Sequence, residues 1–283
     1  MTTTQHRSGV PGPVPVGRGP LHAGRIGWYR GGLEIKEFFR QRESLVFTLA
    51  LPLILLLIFG SVLNYAIPGG ITFSQYFVPG ILASGLFGVC FQTVAIQIAI
   101  ERDKGILKRL RGTPMPPASY FVGKVLMVLA LVVLETVLLL AVASLLGKVT
   151  LPAGATRWAT FGWVTLLGVV AATLLGIAFS SVPQSGRSAP AAVTPVALVL
   201  QFLSGVYFVF TTLPAWLQPV GAAFPLKWIA QGYRSVFLPD AFAAQEAAHG
   251  WERGRIALVL AAWAVGGLLL SLRTFRWRAG RDG

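Results

Sequence analysis

Six apolar runs dominate the sequence, at about Leu45–Ala66, Tyr76–Ile100, Ser119–Leu146, Trp158–Val182, Ala189–Phe210 and Ile256–Leu272. Each is close to or above the roughly 20 residues that carry a helix across a hydrocarbon core about 30 Å thick. Lipid offers no water to backbone N–H and C=O groups, so long apolar runs of this kind must pair those groups internally, as helices do. The expected fold class is therefore an all-α membrane protein with six transmembrane helices. Composition agrees, since 54% hydrophobic and 12% charged residues are too apolar a mixture for a soluble core.

A net charge of +14 would suggest nucleic acid in a soluble protein. Here the cations lie between membrane-length segments, so the expected partners are anionic lipid headgroups and not nucleic acid. Seven Lys/Arg precede residue 45, five lie in 101–117, one in 181–188 and four in 273–283, against two in 147–157 and four in 211–255. Cations gather on the cytoplasmic side. The chain is thus expected to be multi-pass in the plasma membrane, with both termini and residues 101–117 cytoplasmic.

Redox, metal and nucleotide chemistry find no support in the residues. Cys90 is alone in an apolar run, and His6, His22 and His249 match no ligand spacing. Gly123-Lys124 and Gly147-Lys148 lack the upstream glycine and the following Ser/Thr of a phosphate-binding loop. No Ser/His/Asp set or carboxylate pair emerges. The chain itself is expected to bind no cofactor and to catalyse nothing.

Outside the spans, residues 1–24 are rich in Pro, Gly and Thr and read as a disordered cytoplasmic tail without a secretory signal. In Trp28–Ser44, Ile35, Phe38 and Phe39 recur at helical spacing among Glu34, Glu37, Arg40 and Arg42. This segment is either an interfacial helix with its aromatics in the acyl boundary or a helical extension of the first span. Residues 211–255 are cut by Pro214, Pro219, Pro225 and Pro239 yet stay hydrophobic. Short re-entrant helices dipping into the outer leaflet fit this pattern, as does an outer cap lying on the headgroups. Small-residue stripes, Gly80/Ser84/Gly88 and Gly168/Ala172/Gly176/Ser180, predict close helix packing within the chain or across a dimer.

Between the second and third spans lies the only strongly charged inter-span segment, Glu101–Pro117. From Asp103 to Arg111 the spacing predicts one amphipathic helix, with Ile106, Leu107 and Leu110 on one face and Lys104, Lys108 and Arg111 on another. Acids at its start and cations toward its end suit the helix dipole. Gly112, Pro114, Pro116 and Pro117 stop it. It reads as a contact surface for another protein, against the plainer alternative of a solvated loop obeying the charge rule.

Within the spans, Glu135 is the one ionisable residue expected deep in the membrane, roughly 24 Å along a helix that starts near Ser119. Ionised in lipid it would cost at least about 2.5 kcal/mol, so it must face protein, be protonated or reach water. A place on a substrate path competes with a neutral interhelical hydrogen bond. Gln92, Gln97 and Gln201 are further polar groups on such a path, with interhelical bonding the default for each.

These residues carry a family resemblance over about residues 25–275. The segment ERDKGILKRLRGTPMPP, Gly123-Lys124 opening the third span, and FLSGVYF followed by LPAWLQPV and FPLKW (Phe202–Trp228) resemble the permease subunit of type-2 ABC transporters. Within that family the chain is most similar to bacterial drug-exporter permeases of the daunorubicin-resistance kind. The resemblance implies a homodimeric pore in a bacterial plasma membrane, with separate ABC ATPase subunits that bind ATP and Mg docked beneath it. Residues 101–117 would be the coupling helix, with Ile106, Leu107 and Leu110 as anchors, and Glu101, Lys104, Lys108, Arg109 and Arg111 contributing charge. The segment 28–44 would be an interfacial elbow, 211–255 the re-entrant outer helices, and 276–283 a cytoplasmic tail. A lipophilic drug or natural product is the implied cargo, with a lipid or glycan-lipid as alternative; a gradient-driven secondary transporter is the rival reading.

Overall fold

The computed structural model describes residues 20–113 and 115–275. In chain order the helices are α1 (Pro20–Arg40), α2 (Arg42–Val62), α3 (Phe73–Phe87), α4 (Val94–Asp103), α5 (Ile106–Arg111), α6 (Pro117–Leu145), α7 (Ala155–Phe179), α8 (Ala189–Leu203), α9 (Leu217–Ala223), α10 (Pro225–Phe237) and α11 (Arg253–Thr274). A two-stranded antiparallel hairpin, β1 (Ala66–Ile67) and β2 (Ile71–Thr72), links α2 to α3 with Ile67 opposite Ile71. Thr72 then caps α3 in a reciprocal box with Gln75, satisfying two of the donors a helix start leaves open.

Among the described residues five helices are long and apolar enough to cross a membrane: Leu45–Val62, Phe73–Asp103, Ala118–Leu145, Ala155–Phe179 and Arg253–Thr274. The segment expected to run to Phe210 as a further span is the shorter α8, 15 residues long, about 22 Å at 1.5 Å per residue. Its end is set by Gly205, whose φ of +69° turns the chain back onto Phe210. Only glycine adopts this region without strain.

One further expectation is corrected, and one of two open readings falls away. Residues 20–24, read as part of a disordered tail, belong to α1; the rest of that tail and 276–283 lie outside the described residues. The segment 28–44 is no helical extension of the first span, because Gln41 (φ −82°, ψ 73°) breaks the helix between α1 and α2. α1 instead packs along α6. A Cβ at Gly27 or Gly31 would stand 2.6–2.7 Å from Val122 or Leu126, and one at Gly123 would stand 2.9 Å from Arg30, so small residues on both helices let the backbones approach. Trp28, Tyr29, Leu33 and Phe39 remain exposed on the other side.

The core lies around α3, which is buried almost throughout and contacts α2, α6, α7 and α10. Its path to α4 passes through a π-helical turn, Gly88–Thr93. The carbonyls of Cys90 and Phe91 in that turn meet α7 at Gly176, where a Cβ would stand 2.8 Å from each oxygen. Gly168 of the same stripe meets Ile229 of α10, and Gly80 meets the Val206 carbonyl. These glycines therefore serve contacts within the chain, whereas Gly88 faces open space. α10 is buried along its whole length among α3, α7 and α11.

Gly176→Ala is expected to force α7 off the π-helical turn at a cost of about 1–3 kcal/mol. Gly162→Ala on the same helix, where nothing lies within 4 Å, should be neutral or stabilising by up to about 1 kcal/mol. Recovery of monodisperse protein by size exclusion after graded heating compares the two.

Candidate functional site

The predicted single helix over 103–111 is broken. α4 ends at Asp103, Gly105 takes φ +69°, and α5 begins at Ile106. The break turns the apolar positions differently from the sequence reading: Leu107 is fully buried in the chain's own core, and Ile106 and Leu110 are half-buried. Leu107 is thus unavailable as an outward anchor. Lys104, Lys108, Arg109 and Arg111 are exposed and make the tip strongly basic.

The root of this tip is fixed on three sides. Arg102 donates to the carbonyls of Ser180 and Pro183, each at 2.8 Å, and Asp103 accepts from the Gly186 N–H at 3.1 Å. Those contacts tie α4 to the α7–α8 loop. Glu101, assigned above to the outward charge set, turns inward: it accepts from Lys124 Nζ at 2.5 Å and from the Tyr120 hydroxyl at 2.7 Å.

Lys124, two turns inside α6, is fully buried, so Glu135 is not the only deep ionisable group. Its ammonium also donates to Glu34 of α1 at 2.6 Å and reaches Gln97 of α4 at 3.5 Å. Glu34 is shared with Arg30 at 2.7 Å, and both cations lie over the Tyr120 ring. Two cations and two carboxylates thus balance in one buried cluster. Gln97, placed above on a substrate path, belongs here, beside a groove of about 360 Å³ lined also by Glu37, Lys104 and Ile106.

The remaining three path residues converge elsewhere. Gln92 of the π-helical turn, Glu135 of α6 and Gln201 of α8 line one cavity of about 250 Å³ between α2, α3, α6 and α8. Glu135 is buried, and its interhelical hydrogen bond is not made: neither carboxyl oxygen has a partner. The carboxyl lies against Gly85, where any Cβ would overlap it. A π-helical turn at a cavity wall is a recurrent mark of functional sites.

A second buried polar cluster, not anticipated from sequence, sits on α10. Arg234 donates to the Gly205 carbonyl at 2.5 Å, pairs with Glu246 at 3.4 Å and stacks over Tyr76. Lys227 donates to Gln231 and lies 3.7 Å from the Trp228 ring centre. The signal was present: Lys227, Gln231 and Arg234 recur at i, i+4 and i+7, one polar stripe on a helix. Among the described residues no group of three His, Cys, Asp or Glu side chains is placed to hold a metal ion.

Comparison with known families bears on these features directly. The model of the ABC-2 type transporter family matches residues 33–238, a stretch that runs from within α1 through α10 and contains the basic tip, the cavity and both buried clusters apart from Arg30 and Glu246. Among curated proteins no significant match is found. Because the match covers most of the chain, the protein belongs to the ABC-2 type transporter family: it is a multi-pass membrane permease, a transport subunit and not a catalytic one, and it implies an ABC ATPase as partner.

Proposed function

We propose that this chain is the membrane half of an ATP-driven exporter that carries a lipophilic drug or natural product out of a bacterial cell. Two copies form the translocation path in the plasma membrane with both termini cytoplasmic, and each engages a separate ATPase subunit that binds ATP and Mg. The observation that carries the reading is the construction of the α5 tip. Three exposed cations stand on a short helix and a fourth, Lys104, just before it, and the root of this tip is locked into α6, through Lys124 into α1, and into the α7–α8 loop. A rigidly rooted charged tip transmits displacement, because interfaces and packed cores switch between discrete arrangements and do not deform smoothly.

The other features fit the same reading. α1, with Trp28, Tyr29, Leu33 and Phe39 exposed, suits an interfacial elbow. A headgroup cap would leave one side of α10 exposed, and α10 has none, which favours a re-entrant helix shielded by protein. The α2 face carrying Phe47, Ile54, Ile58 and Val62 is exposed and supplies an apolar surface for lipid or for the second copy.

Charge reversal at the tip tests the docking. Arg109→Glu with Arg111→Glu is expected to abolish recovery of an ATPase with the tagged permease from native membranes, while the permease elutes as wild type. Undiminished recovery would sink the proposal, and a preparation without any ATPase whose transport follows a proton gradient would favour the secondary-transporter reading.

Lys124→Met leaves the partly buried Glu101 without its counter-charge and should cost up to about 3 kcal/mol of stability. The double variant Lys124→Met/Glu101→Gln leaves Glu34 paired with Arg30 and should regain most of the folded yield. It is expected to bind the ATPase yet transport at least about tenfold more slowly, a 1.4 kcal/mol effect, since the root of α5 then grips α6 through Tyr120 alone. Transport rates measured in proteoliposomes decide this.

A further inference from the structure

Three carboxyl groups are buried among the described residues, Glu34, Glu135 and Glu246, and they differ in one respect. Glu34 and Glu101 have Lys124 and Arg30, and Glu246 has Arg234. Glu135 has no partner at either oxygen. No Lys or Arg lines its cavity, and Lys124, about 16 Å away along α6 at 1.5 Å per residue, is committed to Glu34 and Glu101.

The cavity's other polar groups are neutral. Gln92 spends one amide N–H on Thr194 at 3.1 Å, and the Tyr207 hydroxyl donates to Gln201 at 2.5 Å. Pro52 has no N–H to give the Thr48 carbonyl one turn earlier, and both residues line the wall. The second amide N–H of Gln92 and the amide of Gln201 remain as neutral donors at the wall. An anion would find these amides but no cation to neutralise it. The Glu135 carboxyl, which no cation of the chain neutralises, is the one acidic group on the wall, and a bound cation would favour its charged form.

The shape defines the rest of the ligand. Leu55, Ile81 and Val89 make the inner wall apolar. At the α2 lip, Phe47 is 75% and Leu51 55% exposed, so the cavity opens sideways onto the apolar face of α2. A volume of about 250 Å³ holds a compact charged head, with the hydrocarbon left to lie along that face.

We propose that this lateral cavity binds a lipophilic organic cation, an ammonium-bearing amphiphile whose charge pairs with Glu135 and whose chain leaves over Leu51. The inference rests on the transport reading above and narrows its cargo to one charge class. The test is equilibrium binding of tritiated dodecyltrimethylammonium to the purified chain in phosphatidylcholine nanodiscs, with uncharged tritiated dodecanol as the paired probe. Glu135→Gln is expected to weaken the ammonium at least about tenfold, a 1.4 kcal/mol change, and to leave dodecanol unaffected. Leu51→Trp, which fills the lip without altering charge, should weaken both. Ammonium binding unchanged in Glu135→Gln, or an equal loss of both probes in that variant, overturns the assignment. Binding is read without an ATPase, so a failure here leaves the docking reading intact, and a failure of docking does not alter this result.

Discussion

The ammonium of Lys124, held between carboxylates from two other helices, fixes the arrangement on which the rest of the α5 end depends. Each ion taken out of water costs several kcal/mol even after relaxation. A lone buried lysine would therefore be expelled or neutralised. Here Glu34 and Glu101 approach it at 2.6 and 2.5 Å, Arg30 balances the second carboxylate, and Tyr120 closes the cluster with its hydroxyl on Glu101 and its ring beneath both cations. The charges cancel only when α1, α4 and α6 sit in one register. Packing alone would permit a helix to slide along its neighbour at modest cost; an ion cluster with all members required does not.

The same logic separates the two ends of the molecule from its middle. At the α10 end, the Arg234 guanidinium meets a carbonyl, a carboxylate and an aromatic face, its Nε alone without a partner, so α10 can be buried along its length while carrying two cations. In the middle, Glu135 would carry the same desolvation penalty once ionised, with nothing in the chain to offset it. Closed clusters specify structure. An open one stores an unmet electrostatic demand, which is why it was read as a site and the others as supports.

Much of the architecture was legible because the bilayer constraint acts on composition alone: runs of about 20 apolar residues are hard to read as anything but spanning helices, and the long helices follow them. The helix-stop signals after Arg111 were equally plain. What the sequence hid depended on tertiary partners. Periodicity put Ile106, Leu107 and Leu110 on one face, but the left-handed turn at Gly105 rotates α5 and buries Leu107. A glycine between Lys104 and Ile106 could have raised that possibility. Glu101 looked like a dipole-complementing surface acid because its partner is 23 residues away, and no local pattern encodes that distance. Gln92, Glu135 and Gln201 were picked out singly as polar groups in apolar runs; their convergence on one cavity, and the departure of Gln97 to another, needed the fold.

α4 connects these parts mechanically. Glu101 near its C-terminal end sits in the Lys124 cluster, while Gln92, nine residues earlier, lies in the π-helical turn at the cavity wall. At 1.5 Å per residue that is about 13 Å of helix. A displacement applied to α5 in the proposed complex cannot be absorbed at its root, where Arg102 and Asp103 bind the α7–α8 loop. The π-helical turn is the weaker link, since its hydrogen bonds depart from the α pattern and its Cys90 and Phe91 carbonyls rest against Gly176 of α7. Motion carried along α4 would therefore be taken up where Gln92 and Thr93 line the cavity opposite Glu135, which places the yielding element of the rod at the point where a bound cation must be released.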